Sequence, residues 1–376
     1  MDTKLNGPLG RIARVRKMME ERGYDAVVIR DEANLRWLTG AKGTFDYTFE
    51  FPHVTFITAD ECYFHTDSRY FNTIQENLPA DSPWKLDMNE GTMPCWVAER
   101  ARDTRSRVIA VEDDMQISFY FGIMRALEDL SITASLPQLH HDLQRMRAVK
   151  DDEEIALMRQ AQSITDAAFQ HMLTFIKPGL TEKEIRTELE NFMFSNGADS
   201  LAFGSIVASG PNTANPHAVP SDRVVQRGDF VLMDYGAGYC DYRSDMTRTV
   251  VVGEPTPEQL DLYALVRRTH EECAAAVHAG VEGNDIFKLS RKIIGDAGYG
   301  DYYNHGLGHG VGIDIHEMPN FNRSMNIIEA GSVITIEPGV YLPGIGGVRL
   351  EDYGVVTEDG YEPFTKSSHE LQVIDC

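Results

Sequence analysis

Apolar positions along this chain recur at two periods, and the switches between them mark out its elements. Residues 10–22 (GRIARVRKMMEER) place Ile12, Val15, Met18 and Met19 on one stripe of a helix that Gly23 ends. DAVVI (25–29) reads as a buried strand. VTFITA (54–59) and CYFHT (62–66) read as paired strands around Asp60 and Glu61, and RVIAVE (107–112) as a further strand before a helix over ISFYFGIMRALEDL (117–130). Strands and helices in alternation predict a small α/β layer domain.

The pattern breaks in the polar string LHHDLQRMRAVKDDEE, and a domain boundary is expected near 140–152, dividing the chain into 1–145 and 146–376. Asp151 or Asp152 is placed to cap the next helix, whose Ile155, Met158, Ala161, Ala168 and Met172 fall at helical spacing. KPGLTEKEIRTELENFMF opens on a Pro-Gly breaker and carries a capping box at Thr181 and Glu184. EPTPEQLDLY repeats the device, with Thr256 as cap, Pro257 at the first helical position and Gln259 three residues on. Two extended, Gly-rich segments (228–253 and 331–356) lie among these helices, and long helices beside antiparallel ribbons predict an α+β second domain.

The 376 residues suit two domains, and 42% hydrophobic with 25% charged residues is ordinary for a globular protein. No apolar run approaches the roughly 20 residues of a membrane helix, and MDTKLNGPLG holds no hydrophobic targeting core, so no membrane partner is expected. A net charge of −23 repels phosphate backbones and argues against nucleic acid. The cysteines (Cys62, Cys95, Cys240, Cys273, Cys376) are odd in number and never paired as CxxC, so free thiols in a reducing cytoplasm are expected.

Chemistry concentrates in three strings. In DYGAGYCDYRSDMTRT, Asp234 and Asp245 are eleven residues apart. A hairpin bending near Gly238–Asp241 brings them nearly opposite, where two carboxylates repel unless a cation lies between them; the alternative is a solvated hairpin with two exposed aspartates. In NHGLGHGVGIDIHE, glycines at 306, 308, 310 and 312 disfavour a helix; extended, His305, Leu307, His309 and Val311 share one face, and bare backbone on the other admits close approach. His316 follows seven residues after His309. Glu337 ends an apolar strand in ITIEPGVY, and GGVRLEDYG places Arg349 and Glu351 on one face of an apolar ribbon, either as an ordinary ion pair or as parts of a site. Asp234, Asp245, His309, Glu337 and Glu351 together exceed the needs of one tetrahedral zinc and suit two divalent ions. Such ions activate water and polarise a carbonyl, so the expected class is metal-assisted hydrolysis of an amide-like bond.

LMDYGAGYCDYRSDMTRT, HGLGHGVGIDIHE, ITIEPGVY and GGVRLED resemble the motifs of the pita-bread metallopeptidases, the family of methionine aminopeptidase, aminopeptidase P, prolidase and creatinase. NLRWLTGAKG is similar to the amino-terminal domain of the aminopeptidase P and prolidase branch. The resemblance implies an α+β chain: a creatinase/prolidase-type α/β domain, then a pita-bread catalytic domain. It implies hydrolysis of an amino-terminal Xaa-Pro bond in short peptides, two divalent ions per chain (manganese first; cobalt, iron or zinc also suit) and a homodimer. By the same resemblance Asp234 chelates one ion, Asp245 and Glu351 bridge both, and His309 and Glu337 complete the other. Glu337 also handles the proton of the attacking water, His217 lies near the scissile bond, His316 stabilises the tetrahedral intermediate, His305 lines the pocket and Arg349 supports the bridging carboxylates.

One departure bears on specificity. Prolidases of this shape carry an arginine in an HExPR-like string; here the string is HEMPN, with Asn320 at that position and Arg323 the next arginine. A neutral amide replaces a guanidinium poorly, which favours an aminopeptidase over a strict dipeptidase. A same-fold hydrolase or lyase acting on a small non-peptide, creatinase-like, is the alternative; a silent binding module is a third, although no ligand is missing.

Overall fold

The computed structural model describes residues 6–41, 52–88, 91–321 and 327–375. Lys42 and Gly43 of the NLRWLTGAKG string, Arg323, Cys376 and the side chain of Asn320 lie outside the described residues. The chain divides into two compact units, Met1–Arg147 and Ala148–Cys376.

The first unit is built on a five-stranded mixed sheet. Strand β1 (Ala26–Ile29) lies between β2 (Val54–Thr58), antiparallel, and β5 (Ile109–Val111), parallel; β3 (Cys62–His65) and β4 (Trp84–Asp87) extend the other edge. The expected β2–β3 hairpin is present, its turn closed by Thr58 and Glu61. Helices α1 (Gly7–Arg22), α4 (Met93–Thr104) and α5 (Ile117–Asp129) accompany the sheet, with shorter helices α2 (Glu32–Thr39) and α3 (Phe71–Asn77). The apolar stripes of α4 and α5 pack on one sheet face through Trp96, Val97, Phe119 and Ile123, against Val28, Phe56 and Val111.

The second unit opens on α6 (Asp152–Phe175) and α7 (Glu182–Ser195); α8 (Pro257–Ala276) and α9 (Gly283–Asp296) follow later in the chain. Asp151, Thr181 and Thr256 each form the full reciprocal capping box, with Glu154, Glu184 and Gln259. Such a cap contributes about 1 kcal/mol and fixes where each helix begins.

At the centre β8 (Phe230–Tyr235) pairs antiparallel with β7 (Ile206–Ser209) and β11 (Met246–Val252), and β6 (Ser200–Leu201), β9 (Ala237–Tyr239) and β10 (Tyr242–Arg243) form a small antiparallel sheet. Period-two alternation sorts their side chains. Val231, Met233, Tyr235, Val250 and Val252 face α6 and α7, while Phe230 and Val251 join the core formed with α8 and α9. The ribbon of β15 (Gly339–Leu342) and β16 (Gly346–Arg349) belongs to that second core. Strands β12 (His309–Gly310), β13 (Glu317–Asn320), β14 (Val333–Ile336), β17 (Asp352–Val356) and β18 (Tyr361–Pro363) complete a further antiparallel sheet. This is the α+β architecture expected of the second half.

A candidate dinuclear metal centre

The hairpin carrying the two aspartates reverses at Cys240 and Asp241, both at positive φ (47° and 73°), as a two-residue turn with the twist of its strands requires. The backbone N–H of Cys240 donates to the Asp199 carboxylate at 2.7 Å and holds the turn there. Its register differs from the nearly opposite placement expected of the aspartates. Asp234 faces Thr247, and Met246 faces Tyr235, so Asp245 sits two residues along, diagonal to Asp234 on the same face. A reversal centred one residue earlier would have put them opposite. At Gly236 a Cβ would collide with the Ser244 carbonyl, so glycine lets the two strands close beside Asp245.

His309 begins β12. Its N–H donates to the Thr335 hydroxyl, and the Glu337 N–H donates to the Leu307 carbonyl, so the end of β14 lies along the histidine segment and delivers Glu337 next to His309. The bare glycine face proves to serve the protein's own strands. A Cβ at Gly308 would meet the Thr335 carbonyl, and one at Gly310 the carbonyl of Met318. Leu307 turns into the hydrophobic core rather than sharing the cavity with His305 and His309. Glu351 is drawn in from the other side, its N–H donating to the Thr247 carbonyl.

These elements bring Asp234, Asp245, His309, Glu337 and Glu351 around one cavity of about 200 Å³, walled also by His217, His316 and the apolar Phe203, Ile206 and Ile315. Donor atoms of Asp245, His309 and Glu351 lie within 4.8 Å of one another. His309 Nε2 is 3.6 Å from Asp245 Oδ2 and 3.5 Å from Glu337 Oε1. Burial and the neighbouring Asp234 and Glu337 charges push the Asp245 carboxyl well above the usual range; burial and Asp245 do the same to Glu351. Burial raises Glu337 to about 8, with Asp234 adding to the effect, and holds His309 down to about 4 and therefore neutral. Asp234 Oδ1 is buried with no hydrogen-bond donor. Crowded carboxylates, a neutral imidazole and an orphaned oxygen are what a site built around cations presents, and four carboxylates with one nitrogen suit divalent ions.

Arg349, 2% exposed, is the cation beside them. It does not pair with Glu351, contrary to the simple neighbour reading; the two are linked through Thr247, whose hydroxyl accepts from Arg349 Nε at 3.0 Å and donates to Glu351 at 2.7 Å. Arg349 Nη2 donates to Asp234 at 2.6 Å, while Nη1 donates to the Tyr341 hydroxyl at 2.8 Å and the Pro216 carbonyl at 3.2 Å. The Tyr341 hydroxyl in turn donates to His305 Nε2 at 2.8 Å, and His305 Nδ1–H donates to the Gly306 carbonyl. His316 stands edge-on to His309, ring centres 4.3 Å apart.

A second cavity of about 1020 Å³ shares His217, Asp234, His309, His316, Glu337 with the first and continues past His305 and Arg349 to Phe287, Arg291 and Asn304. His217 is exposed on its wall, on a loop fixed from beneath by Glu182. That carboxylate, 1% exposed, accepts from the N–H and hydroxyl groups of both Ser209 and Ser221 and from Asn212. Burial alone would raise its pKa, but these donors hold it below the ordinary value. Sequence reasoning missed Glu182, Thr247 and Tyr341. Tyr341 had a signal in its GVY context on the strand after Glu337, whereas Glu182 looks like any first-turn helix glutamate.

Comparison with known proteins agrees with this geometry. Residues 156–358 match the metallopeptidase family M24, and residues 11–149 match the creatinase/prolidase N-terminal domain. The chain belongs to metallopeptidase family M24. Membership implies divalent metal ions. The chain is 30% identical to an Xaa-Pro dipeptidase of Pyrococcus horikoshii over 96% of its own length and 98% of that protein. Its structure superposes on an Xaa-Pro dipeptidase from Bacillus anthracis with a TM-score of 0.90 at 36% identity, covering 98% of this chain and 100% of the other. An X-Pro aminopeptidase from Thermotoga maritima gives 0.85 at 31% identity, over 95% and 100%. The M24 unit thus has the pita-bread fold. Among the described residues, no helix is long and apolar enough to cross a membrane, and Cys62, Cys95 and Cys273 are free thiols.

Proposed function

We propose that this M24 protein hydrolyses the amino-terminal Xaa-Pro bond of short peptides with two divalent ions, manganese by preference, held by Asp234, Asp245, His309, Glu337 and Glu351. The observation that carries the reading is the convergence of all five on one cavity that opens into a larger histidine-walled one. In this reading Asp245 and Glu351, whose donor atoms lie within 4.8 Å of each other and of His309, would be shared between the ions. The ions, when bound, lower the pKa of water and polarise the scissile carbonyl. Glu337, ionised once it holds an ion, would take the proton from the attacking water. His316 and His217 face the cavity from its walls, where an N–H of either supports charge developing on the carbonyl oxygen. His305, kept neutral by burial and fixed between Tyr341 and Gly306, lines the pocket for the proline ring, which presents no N–H of its own. The free thiols support a reducing cytoplasm; the homodimer follows from family resemblance and is checked by sedimentation.

Asn320 does not settle chain-length preference, because a different cation is available. Arg291 lines the outer part of the larger cavity, its guanidinium donating to the Tyr303 carbonyl over the Tyr303 ring, with no carboxylate partner among the described residues. The deciding experiment is a mass-spectrometric digest with manganese-loaded protein, offering Ala-Pro and Ala-Pro-Ala with Ala-Ala-Ala as control. Cleavage of either proline peptide supports the reading; binding of two ions with no cleavage of either rejects it in favour of a small non-peptide substrate. Arg291→Gln is expected to lower kcat/KM for Ala-Pro roughly tenfold, the worth of one charge-assisted contact, and for Ala-Pro-Ala less. Equal losses reject the role.

His217→Ala should leave metal content intact and lower kcat by about 10²-fold, the typical cost of losing one donor to the developing charge. Wild-type turnover in that variant removes His217 from the mechanism. Metal loading should also release protons. At pH 7 a Glu337 carboxyl of pKa about 8 carries a proton that a ligand must lose, and Asp245 and Glu351 are raised as well. Affinity therefore rises with pH up to about 8. Calorimetric titration in two buffers of different ionisation enthalpy reads the release, and a buffer-independent heat contradicts it.

A further inference from the structure

Asp352 opens β17 one residue after Glu351 and is 1% exposed. Its Oδ1 accepts from Arg248 Nη2 at 2.7 Å. Its Oδ2 lies 2.6 Å from His369 Nε2 and 3.6 Å from His270 Nε2. One donor atom from each of His270, Asp352 and His369 falls within 4.8 Å of the others. His270, on α8, is 1% exposed, and neither of its ring nitrogens has a hydrogen-bond partner. An imidazole carries at least one N–H or lone pair at each nitrogen, and leaving both unmet in the interior is costly enough to call for an occupant.

We propose that His270, Asp352 and His369 form a further metal site, distinct from the five-residue centre, that takes one divalent ion of the zinc or cobalt class. Two imidazoles and a carboxylate are an established donor set for such ions, with a fourth position open to water. Bonds of roughly 2.0–2.1 Å place donors about 3.3 Å apart in a tetrahedron, so His270 and Asp352 already stand close to the needed spacing and His369 must draw back by less than about 1 Å. The surrounding groups suit ligands rather than a simple ion pair. Arg248 anchors the second Asp352 oxygen, and the Glu271 carboxylate lies 3.7 Å from His369 Nδ1, the nitrogen facing away from the site. Outer carboxylates on ligating histidines and hydrogen bonds on ligating carboxylates are the usual support of a metal site. The His369 side chain is 28% exposed, which gives an ion a way in. Because Arg248 also donates to the Ser367 and Ser368 carbonyls, the ion would fasten the chain's last segment to the strand that follows Glu351.

Zinc counting by mass spectrometry after equilibration at micromolar zinc and gel filtration tests the site. Wild type is expected to retain one more zinc per chain than His369→Ala, whatever the five-residue centre holds, and zinc should raise the Tm of wild type by more than that of the variant. The extra ion should persist in Asp245→Ala, whose lesion lies in the other centre. Equal zinc content in wild type and His369→Ala overturns the proposal, as does loss of the same ion in Asp245→Ala. His270→Phe repeats the test from the buried side; should it fail to fold, His369→Ala alone decides, because that side chain is partly exposed.

Discussion

Asp245→Ala is expected to retain at most one divalent ion in the five-residue centre and to hydrolyse Xaa-Pro peptides about 10²–10⁴-fold more slowly than wild type. The rate figure follows from the several kcal/mol that a polarising ion contributes to the transition state, at 1.36 kcal/mol per tenfold. Asp245 is singled out because it is 4% exposed, diagonal to Asp234 across the hairpin, and within ligand range of both His309 and Glu351. Glu351→Ala should behave alike, since its carboxylate meets Asp245 from the opposite ribbon. The stability effect should have the reverse sign. Without metal, Asp245 is a buried carboxyl among like charges, so its removal should leave the metal-free fold no less stable, as read by thermal unfolding. Two ions per chain in either variant, counted by mass spectrometry on protein loaded with manganese, would remove the bridging role.

The sequence shows this centre because its ligands sit in short strings whose neighbours disclose the backbone. Glycines flank His309, a Pro-Gly pair follows Glu337, and apolar alternation surrounds Arg349 and Glu351. The capped helices were equally visible, since a capping box is local chemistry that needs no tertiary partner. Register was harder to read. Whether Asp245 faces Asp234 or lies diagonal to it depends on a turn shifted by one residue, which Asp199, far away in sequence, fixes through the Cys240 N–H. The least legible groups act at long range. Glu182 braces the His217 loop from a helix start some 35 residues earlier, and Thr247 joins Arg349 to Glu351 only once three strands have met. His270, Asp352 and His369 come together from a helix, a strand and the chain's final segment, a spacing that no motif search would flag.

Arg349→Met is expected to destabilise the metal-free protein by about 3–5 kcal/mol, the usual cost of breaking a buried ion pair from one side. For a unit of this size that corresponds to a Tm lower by roughly 6–20 °C. The loss arises at Asp234, whose Oδ1 already lacks a donor and whose Oδ2 depends on the guanidinium. Methionine fills much of the space but supplies no charge and no donor for Tyr341, Thr247 or the Pro216 carbonyl. Two comparisons separate this electrostatic cause from lost packing. Adding Asp234→Asn should recover part of the loss, because a neutral amide needs no counter-charge, and close pairs couple by about 0.5–3 kcal/mol. Manganese should recover part of it as well, since a cation beside Asp234 does the guanidinium's electrostatic work. Calorimetry on Arg349→Met with and without manganese gives the answer: a deficit of the same size in both conditions would mean that Arg349 serves the ribbon's packing and not the charge of the centre.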